Sequence, residues 1–408
     1  MLSDDALNKL IQPIIDRQEN INTWVLQRIA QRIKEIGEVL PSDVQKLIAL
    51  RNSGADAQQI VKEIARLTQL QVISIQGLVR TVAKDAYASA KPFYDFTSKS
   101  YIPYDQNVIL KRRVQAMATR TADSYLNITK SQAFMLRDLK NPKRLIPTPV
   151  AQAYQSVIDE AVQAASGGSV DYHTAMRRTL NQLVDSGLRR VTYNTETGKT
   201  YTQRIDTAVR RNLMDGIRGV NQEMQNTVGE EFGANGVEIT VHMNPAPDHA
   251  EMQGHQFTNK EFDKMQHGEN FHDVQGREYT GFERAVGTLN CRHFAISIMI
   301  GAVSQNYTDK QLKEILERNE KGYTLPNGKH LTMYECTQCQ RQMETNIRRA
   351  KDGQIAAKTA GDEQLAREYQ VKIDQYTKNY MSFSKDCGLS PKLDKIRVEG
   401  YKKISTRK

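Results

Sequence analysis

The chain has 408 residues, 39% of them hydrophobic and 25% charged, with 57 Lys and Arg against 47 Asp and Glu for a net charge of +10. That length predicts two to four domains at about 100–200 residues each, the recurring apolar positions exclude disorder throughout, and the charge favours polyanionic partners without naming one. The longest nearly apolar run, Phe294 to Val303, is about half the ~20 residues of a membrane-spanning helix, and four cysteines are too few for a disulfide framework, so a reducing compartment is expected.

No basic start followed by an apolar stretch marks a secretory signal near Asp4 and Asp5. Residues 1–140 read as helices. Pro41, Ser42 and Asp43 open a short one. Ile60, Ile64, Leu67, Val72, Ile75, Val79 and Val82 then fall on one stripe at helical spacing, with Asp56 as its N-cap. Asn107 to Leu139 reads as a further basic helix, and Pro142, Pro147 and Pro149 mark a linker after it.

A helical hairpin is expected over 150–188, with Gly167 and Gly168 at its turn and Gly187 at its end. Val191 to Arg204 suits a small β-hairpin. Ile205, Val209, Leu213, Ile217, Val220, Met224 and Val228 line a long amphipathic helix. The period changes to two at Val237, Ile239, Val241 and Met243, which predicts a half-buried strand. A loop-rich stretch follows, then the apolar run to Val303. Thr308 and Gln311 fit a capping box. Two charged helices close the pattern, Thr332 to Thr359 and Asp362 to Lys385, the second with a seam of Leu365, Tyr369, Ile373, Tyr376, Tyr380 and Phe383. Eight basic and three acidic residues from Lys385 onward suggest a solvated, partly disordered tail. The fold class is mainly α with a small α+β module. Its expected segments are extended N-terminal helices (1–145), a helical domain with a small β-hairpin (146–232), a central His-rich α+β module (233–306), and a helical hairpin with a basic end (307–408).

Six of eight histidines lie in one window: His242, His249, His255, His267, His272 and His293. Asp248, Asp273 and Cys291 share it. Imidazole, thiolate and carboxylate are the donors a divalent transition metal prefers, so His249 or His255 with Cys291 and His293 could hold zinc. The same side chains could instead act as polar cross-ties in a module with little regular structure. Asp248, His249, Asn270 and His272 also invite a metal-dependent nuclease reading, although the usual strand–strand–helix context is not evident. Arg292 has Asp248 and Asp273 as candidate partners. Cys336 and Cys339 are spaced C-x₂-C but sit in a helical pattern, which favours incidental thiols. No Walker-type loop, dinucleotide fingerprint or DNA-binding module is present. The basic runs Lys111-Arg112-Arg113, Arg177-Arg178 and Arg210-Arg211 can follow a phosphate backbone or simply form wet helix faces.

Two elements of this window carry a resemblance. Pro247, Asp248, His249, Gln253 and Gly254 form a P-x-H-x₃-Q-G element, and Asn290, Cys291, Arg292 and His293 an N-C-R-H element about forty residues later. The pair resembles the signature of the phage minor capsid protein 2 family, related more distantly to head-morphogenesis proteins typified by the F protein of phage Mu. The resemblance extends over nearly the whole chain and is strongest from about 170 to 400. Ala246 stands where Arg commonly precedes the Pro, and Met252 where Trp is usual. The resemblance implies a non-enzymatic minor component of a tailed-phage head, placed inside the capsid near the portal and assembled in the host cytoplasm. Its implied partners are the portal protein, the major capsid or scaffolding protein and packaged double-stranded DNA, without a membrane during assembly.

Overall fold

The computed structural model describes residues 4–39, 43, 46, 54–138, 140–141, 143–167, 171–193, 200–273, 275–280, 285–288, 291 and 293–406. The chain divides into two compact units. One comprises Met1–Gln12, Val72–Tyr125 and Arg210–Gln338; the other comprises Pro13–Gln71, Leu126–Val209 and Cys339–Lys408. The segment 233–306 therefore lies wholly in the first unit, while 1–145, 146–232 and 307–408 each contribute to both.

Helices dominate, as the periodicity predicts. α1 (Asp4–Gly37), α2 (Gly54–Ala88), α3 (Lys91–Thr97) and α4 (Val108–Lys130) fill the N-terminal third. Of the predicted α2 stripe, Ile60, Ile64, Val72, Ile75, Val79 and Val82 are buried and Leu67 is half-buried. The helix begins at Gly54, so Asp56 lies in its first turn rather than at its cap. Pro41 and Ser42, expected to open a short helix, lie outside the described residues.

The predicted helix to Leu139 ends early, at Lys130. Gln132–Arg137 is instead β1, antiparallel to β2 (Leu145–Pro149), where a linker was expected. Ala133, Phe134 and Leu136 are buried on β1. A short apolar run after a helix fits either state, and here burial in a sheet decides it. The prolines are tolerated because β2 is an edge strand: the sheet order is β2-β1-β3-β4, with Met135 opposite Pro147 and Ala133 opposite Pro149. The expected hairpin supplies the other two strands, β3 (Arg189–Tyr193) and β4 (Thr200–Arg204). The helical hairpin between β2 and β3 is α5 (Val150–Gly167) and α6 (Tyr172–Ser186). Asp171 caps α6 by accepting from the Thr174 N–H, and Gly187, with φ +57°, ends it. Gly168 lies outside the described residues.

The long helix is α7 (Ile205–Glu231), followed by β5 (Gly236–Ile239). β5 pairs with β6 (Gln256–Thr258) on one side and β9 (Ala295–Ile298) on the other. Between them lie α8 (Asn259–Gln266), β7 (Phe271–His272) and β8 (Glu278–Tyr279). The half-buried strand expected at 237–243 is shorter than predicted and buried on both faces. Glu238 is enclosed too, because Gln256 Nε2 (2.9 Å) and Asn306 Nδ2 (2.7 Å) donate to its carboxylate. Val237, Ile239, Met252, Phe257, Met265, Phe271, Tyr279, Val286 and Ala295 form one core. Within it the Phe257 ring lies 5.0 Å from Tyr279 and 5.9 Å from Phe271, edge on to both.

α9 (Asp309–Lys321) carries the predicted Thr308–Gln311 capping box, and a short β10–β11 pair (Tyr323–Thr324, His330–Leu331) follows. α10 (Met333–Thr359) and α11 (Glu363–Asp386) make the C-terminal hairpin. Leu365, Tyr369, Ile373, Tyr380 and Phe383 of the predicted seam are buried, and Tyr376 is exposed. The tail is largely exposed, as its charge suggests, but it is anchored at a few points rather than loose. Ile396 and Val398 are buried, Lys351 Nζ donates to Ile396 O (2.7 Å), and Tyr401 donates to Gln370 Oε1 (3.1 Å). Apolar residues spaced between the lysines give this segment something to bury while most of its charged side chains stay in water.

Candidate functional site

The site lies at one end of the β5–β9 ladder. Ile239 is opposite Ala295, and the pairing continues one step further: Thr240 N–H donates to Phe294 O (2.9 Å), and Phe294 N–H to Thr240 Oγ1 (2.9 Å). The next residue along this strand, His293, stands beside His242, with ring centroids 4.7 Å apart. From the other side, Pro247 starts a short 3₁₀ turn, Pro247–His249, at a position where its fixed φ fits and no N–H is missed. That turn delivers His249 to the same place. A further turn ends at Gly254, where φ is +74° and the N–H donates to Ile239 O (2.7 Å).

His249, Cys291 and His293 meet there, 0%, 2% and 3% exposed. Cys291 Sγ lies 3.1 Å from His249 Nδ1 and 3.5 Å from His293 Nδ1. One donor atom from each of the three lies within 4.8 Å of the others. The opposite nitrogens face oxygens: His249 Nε2 is 3.6 Å from Asp248 Oδ2, and His293 Nε2 is 3.3 Å from Gln253 Oε1. Gln253 Oε1 also accepts the His242 backbone N–H at 2.8 Å. Three of the four residues considered for a metal thus converge, and two motif residues, Asp248 and Gln253, surround them.

His255 does not join this group. It follows the Gly254 turn and its Nδ1 is 2.8 Å from Arg277 Nη1; Arg277 Nε in turn donates to Asp273 at 2.7 Å. Burial and the Arg277 charge hold the His255 pKa below its ordinary value. Burial pushes the Asp273 carboxyl up, but N–H donation from Arg277 and Gln275 outweighs it and holds the group below the usual carboxylate range. Arg277 is therefore the partner of Asp273; Asn290 and Arg292, with the pairing expected of Arg292, lie outside the described residues. His267 is exposed, with Nδ1 2.8 Å from Asp263 O. Asn270 and His272 are exposed and outside the three-residue group, so the set drawn on for a nuclease is not assembled among the described residues.

Sequence reasoning gave His242 no role and missed Arg277. The alternation at 237–243 places His242 on the strand but not its neighbour across the sheet. Arg277 has no signal beyond lying four residues after Asp273. Cys336 and Cys339 sit on α10 one turn apart, as read from the sequence; Cys336 is buried and Cys339 half-buried. Met252, at the position where Trp is usual, is a core residue of the module.

Of the basic runs, Arg177 forms a two-point pair with Asp362 (2.6 and 2.9 Å), and Arg210 donates to Asn8 (3.1 Å) and Gln12 (2.9 Å). Lys111 and Arg112 instead line a cleft of about 460 Å³ together with Arg80, Lys84 and Tyr104. Among the described residues no helix is long and apolar enough to cross a membrane.

These features define a largely helical protein carrying a small β module closed by a Cys–His cluster. The family model for phage minor capsid protein 2 matches residues 2–383, and the chain belongs to that family. No curated protein matches it, and no solved structure does. The chain is thus a bacteriophage minor capsid protein, a component of the virion.

Proposed function

We propose that this minor capsid protein works inside the head beside the portal, as a structural and not a catalytic part. There it touches the portal protein, the major capsid or scaffolding protein, and double-stranded DNA as the genome is packaged or delivered. The cleft between α2 and α4 carries the DNA part of this reading. Arg80, Lys84, Lys111 and Arg112 are all exposed on it. One acidic residue, Asp105, takes up part of that charge by pairing with Lys84 at 2.7 Å. Exposed guanidinium and ammonium groups along two helices match the spaced charges of a phosphate backbone, which needs no base-specific contact.

The test pairs DNA binding with particle composition. The purified chain should bind duplex DNA of any sequence, with affinity falling steeply as salt rises. Lys111→Glu with Arg112→Glu should weaken binding at least about tenfold and flatten the salt slope. Sedimented heads should contain the chain in low copy, cross-linked to portal. Absence of DNA binding at low salt would remove the DNA contact, and absence from heads would remove the placement.

A further inference from the structure

We propose that His249, Cys291 and His293 form a structural binding site for a borderline-soft divalent cation of the Zn2+ class. This stands on the local geometry and does not depend on the reading of the protein's place in the head.

The two sulfur–nitrogen separations fit such an ion. With Zn–S about 2.3 Å and Zn–N about 2.0–2.1 Å, a tetrahedral angle puts sulfur and nitrogen about 3.5 Å apart. The two contacts to Cys291 Sγ are 3.1 and 3.5 Å. The orientation of both rings fits as well. Each imidazole turns Nδ1 to the sulfur and Nε2 to an oxygen, Asp248 Oδ2 for His249 and Gln253 Oε1 for His293. Metal-ligating histidines give the distal N–H to an oxygen acceptor; His293 has Gln253 Oε1 at 3.3 Å for this, and His249 faces Asp248 at 3.6 Å.

A single cation can take both Nδ1 atoms and the sulfur as ligands at once. On binding, Cys291 gives up its proton to solvent and becomes a thiolate, and the imidazoles bind neutral. The ring of His242, beside His293, brings a further imidazole to the edge of the group. One thiolate with imidazoles favours Zn2+ over the hard, oxygen-seeking Mg2+ or Ca2+. The module around the site has three strands of three or four residues each, and fixing a loop closed across 42 positions is where a metal clip stabilises most.

The full chain, expressed in zinc-supplemented medium and dialysed, should retain stoichiometric zinc by elemental analysis. Cys291→Ser should lose it, and Cys339→Ser, which breaks the C-x₂-C pair on α10, should keep it. Replacing zinc with Co2+ in the wild-type chain should give a thiolate-to-cobalt charge-transfer band and tetrahedral visible bands; this reading holds even if Cys291→Ser does not fold. Wild-type protein with only trace zinc and no cobalt–thiolate band would overturn the proposal. Zinc retained by a folded Cys291→Ser, or lost in Cys339→Ser, would overturn it too.

Discussion

His249 and Cys291 are 42 positions apart in the chain, yet their Nδ1 and Sγ atoms stand 3.1 Å from each other, both fully enclosed. Neither is placed by its own neighbours alone. The 3₁₀ turn at Pro247 brings one, and the antiparallel pairing of β5 with β9 brings the other. The two sequence elements that carry the resemblance are the two halves of one buried contact.

Gln253 joins those halves, and its removal should be felt. Its Oε1 accepts the His242 backbone N–H and faces His293 Nε2. Gln253→Leu keeps most of the volume but strips both acceptor contacts, leaving a backbone donor short of its partner. An orphaned buried donor costs about 1–3 kcal/mol. The midpoint of denaturant unfolding should fall accordingly; an unchanged midpoint would show that water replaces the glutamine.

Gly254 is required twice over. Its φ of +74° is in the left-handed region, and a Cβ there would stand 2.5 Å from Leu312 Cδ2 and 2.9 Å from Val241 Cγ2. The left-handed conformation alone costs a non-glycine residue about 1–2 kcal/mol. Gly254→Ala should therefore destabilise the protein by more than about 2 kcal/mol, because the crowding adds to the strain. Gly276 has a similar φ but open space around it, so Gly276→Ala should cost only the conformational part. Equal losses for the two variants would mean that the contact with Leu312 relaxes freely.

Much of this was legible before the structure. The α7 stripe and the Thr308–Gln311 box read directly, because helix periodicity and capping are local. Val191 to Arg204 read as a hairpin for the same reason. What failed to read was non-local. The strand at Gln132–Arg137 looked like the end of a helix, since nothing near Phe134 announces the edge strand that pairs with it. The enclosure of Glu238 depends on Asn306, 68 residues away. In the site, the crowding of imidazoles was visible, but the choice between His249 and His255 was not. Only the turn that reverses the chain at Gly254 sends them to different partners, Cys291 for one and Arg277 for the other.

Asp362 links two elements of the second unit. It caps α11 by accepting the Leu365 N–H at 2.8 Å and holds Arg177 through both carboxylate oxygens. Burial pushes its pKa up, but Arg177 and the Leu365 N–H outweigh that and hold it below the usual range. A lowered folded-state pKa contributes stability that is present above the unfolded value and lost as pH falls through the folded one. Asp362→Ala should cost about 2 kcal/mol near neutral pH from cap and pair together, and Asp362→Asn less, since Asn also caps well. The gap between wild type and Asp362→Ala should shrink in acid, and thermal midpoints measured down to pH 3 check it.

The opposite sign is expected from a buried cluster in the same unit, formed by Glu19, Asp206 and Asp352 with Arg204 and Arg348. Arg348 pairs with Glu19 and, at 3.2 Å, with Asp206, to which Arg204 also donates at 3.2 Å. Asp352 accepts from Thr23 Oγ1 (2.8 Å) and Asn22 Nδ2 (3.1 Å). Three carboxylates thus share two guanidiniums. Burial pushes Glu19 up to about 7 and Asp352 up to about 6, against ordinary values of 4.5 and 3.8, and the Asp206 charge adds to both shifts while the arginines oppose them. Glu344, which also feels Arg348, is raised by burial. For a raised acid the folded state binds more protons, so its contribution is complete below the unfolded pKa and is lost as pH rises through the folded one. Wild-type protein should therefore unfold at lower denaturant at pH 8 than at pH 5. Asp352→Asn carries no titrating proton and keeps an acceptor for Thr23, so it should narrow that difference, and Glu19→Gln should do the same. A wild-type midpoint that does not fall between pH 5 and pH 8, or variants that reproduce its fall in full, would show that these carboxylates stay ionised and that the two guanidiniums suffice for all three.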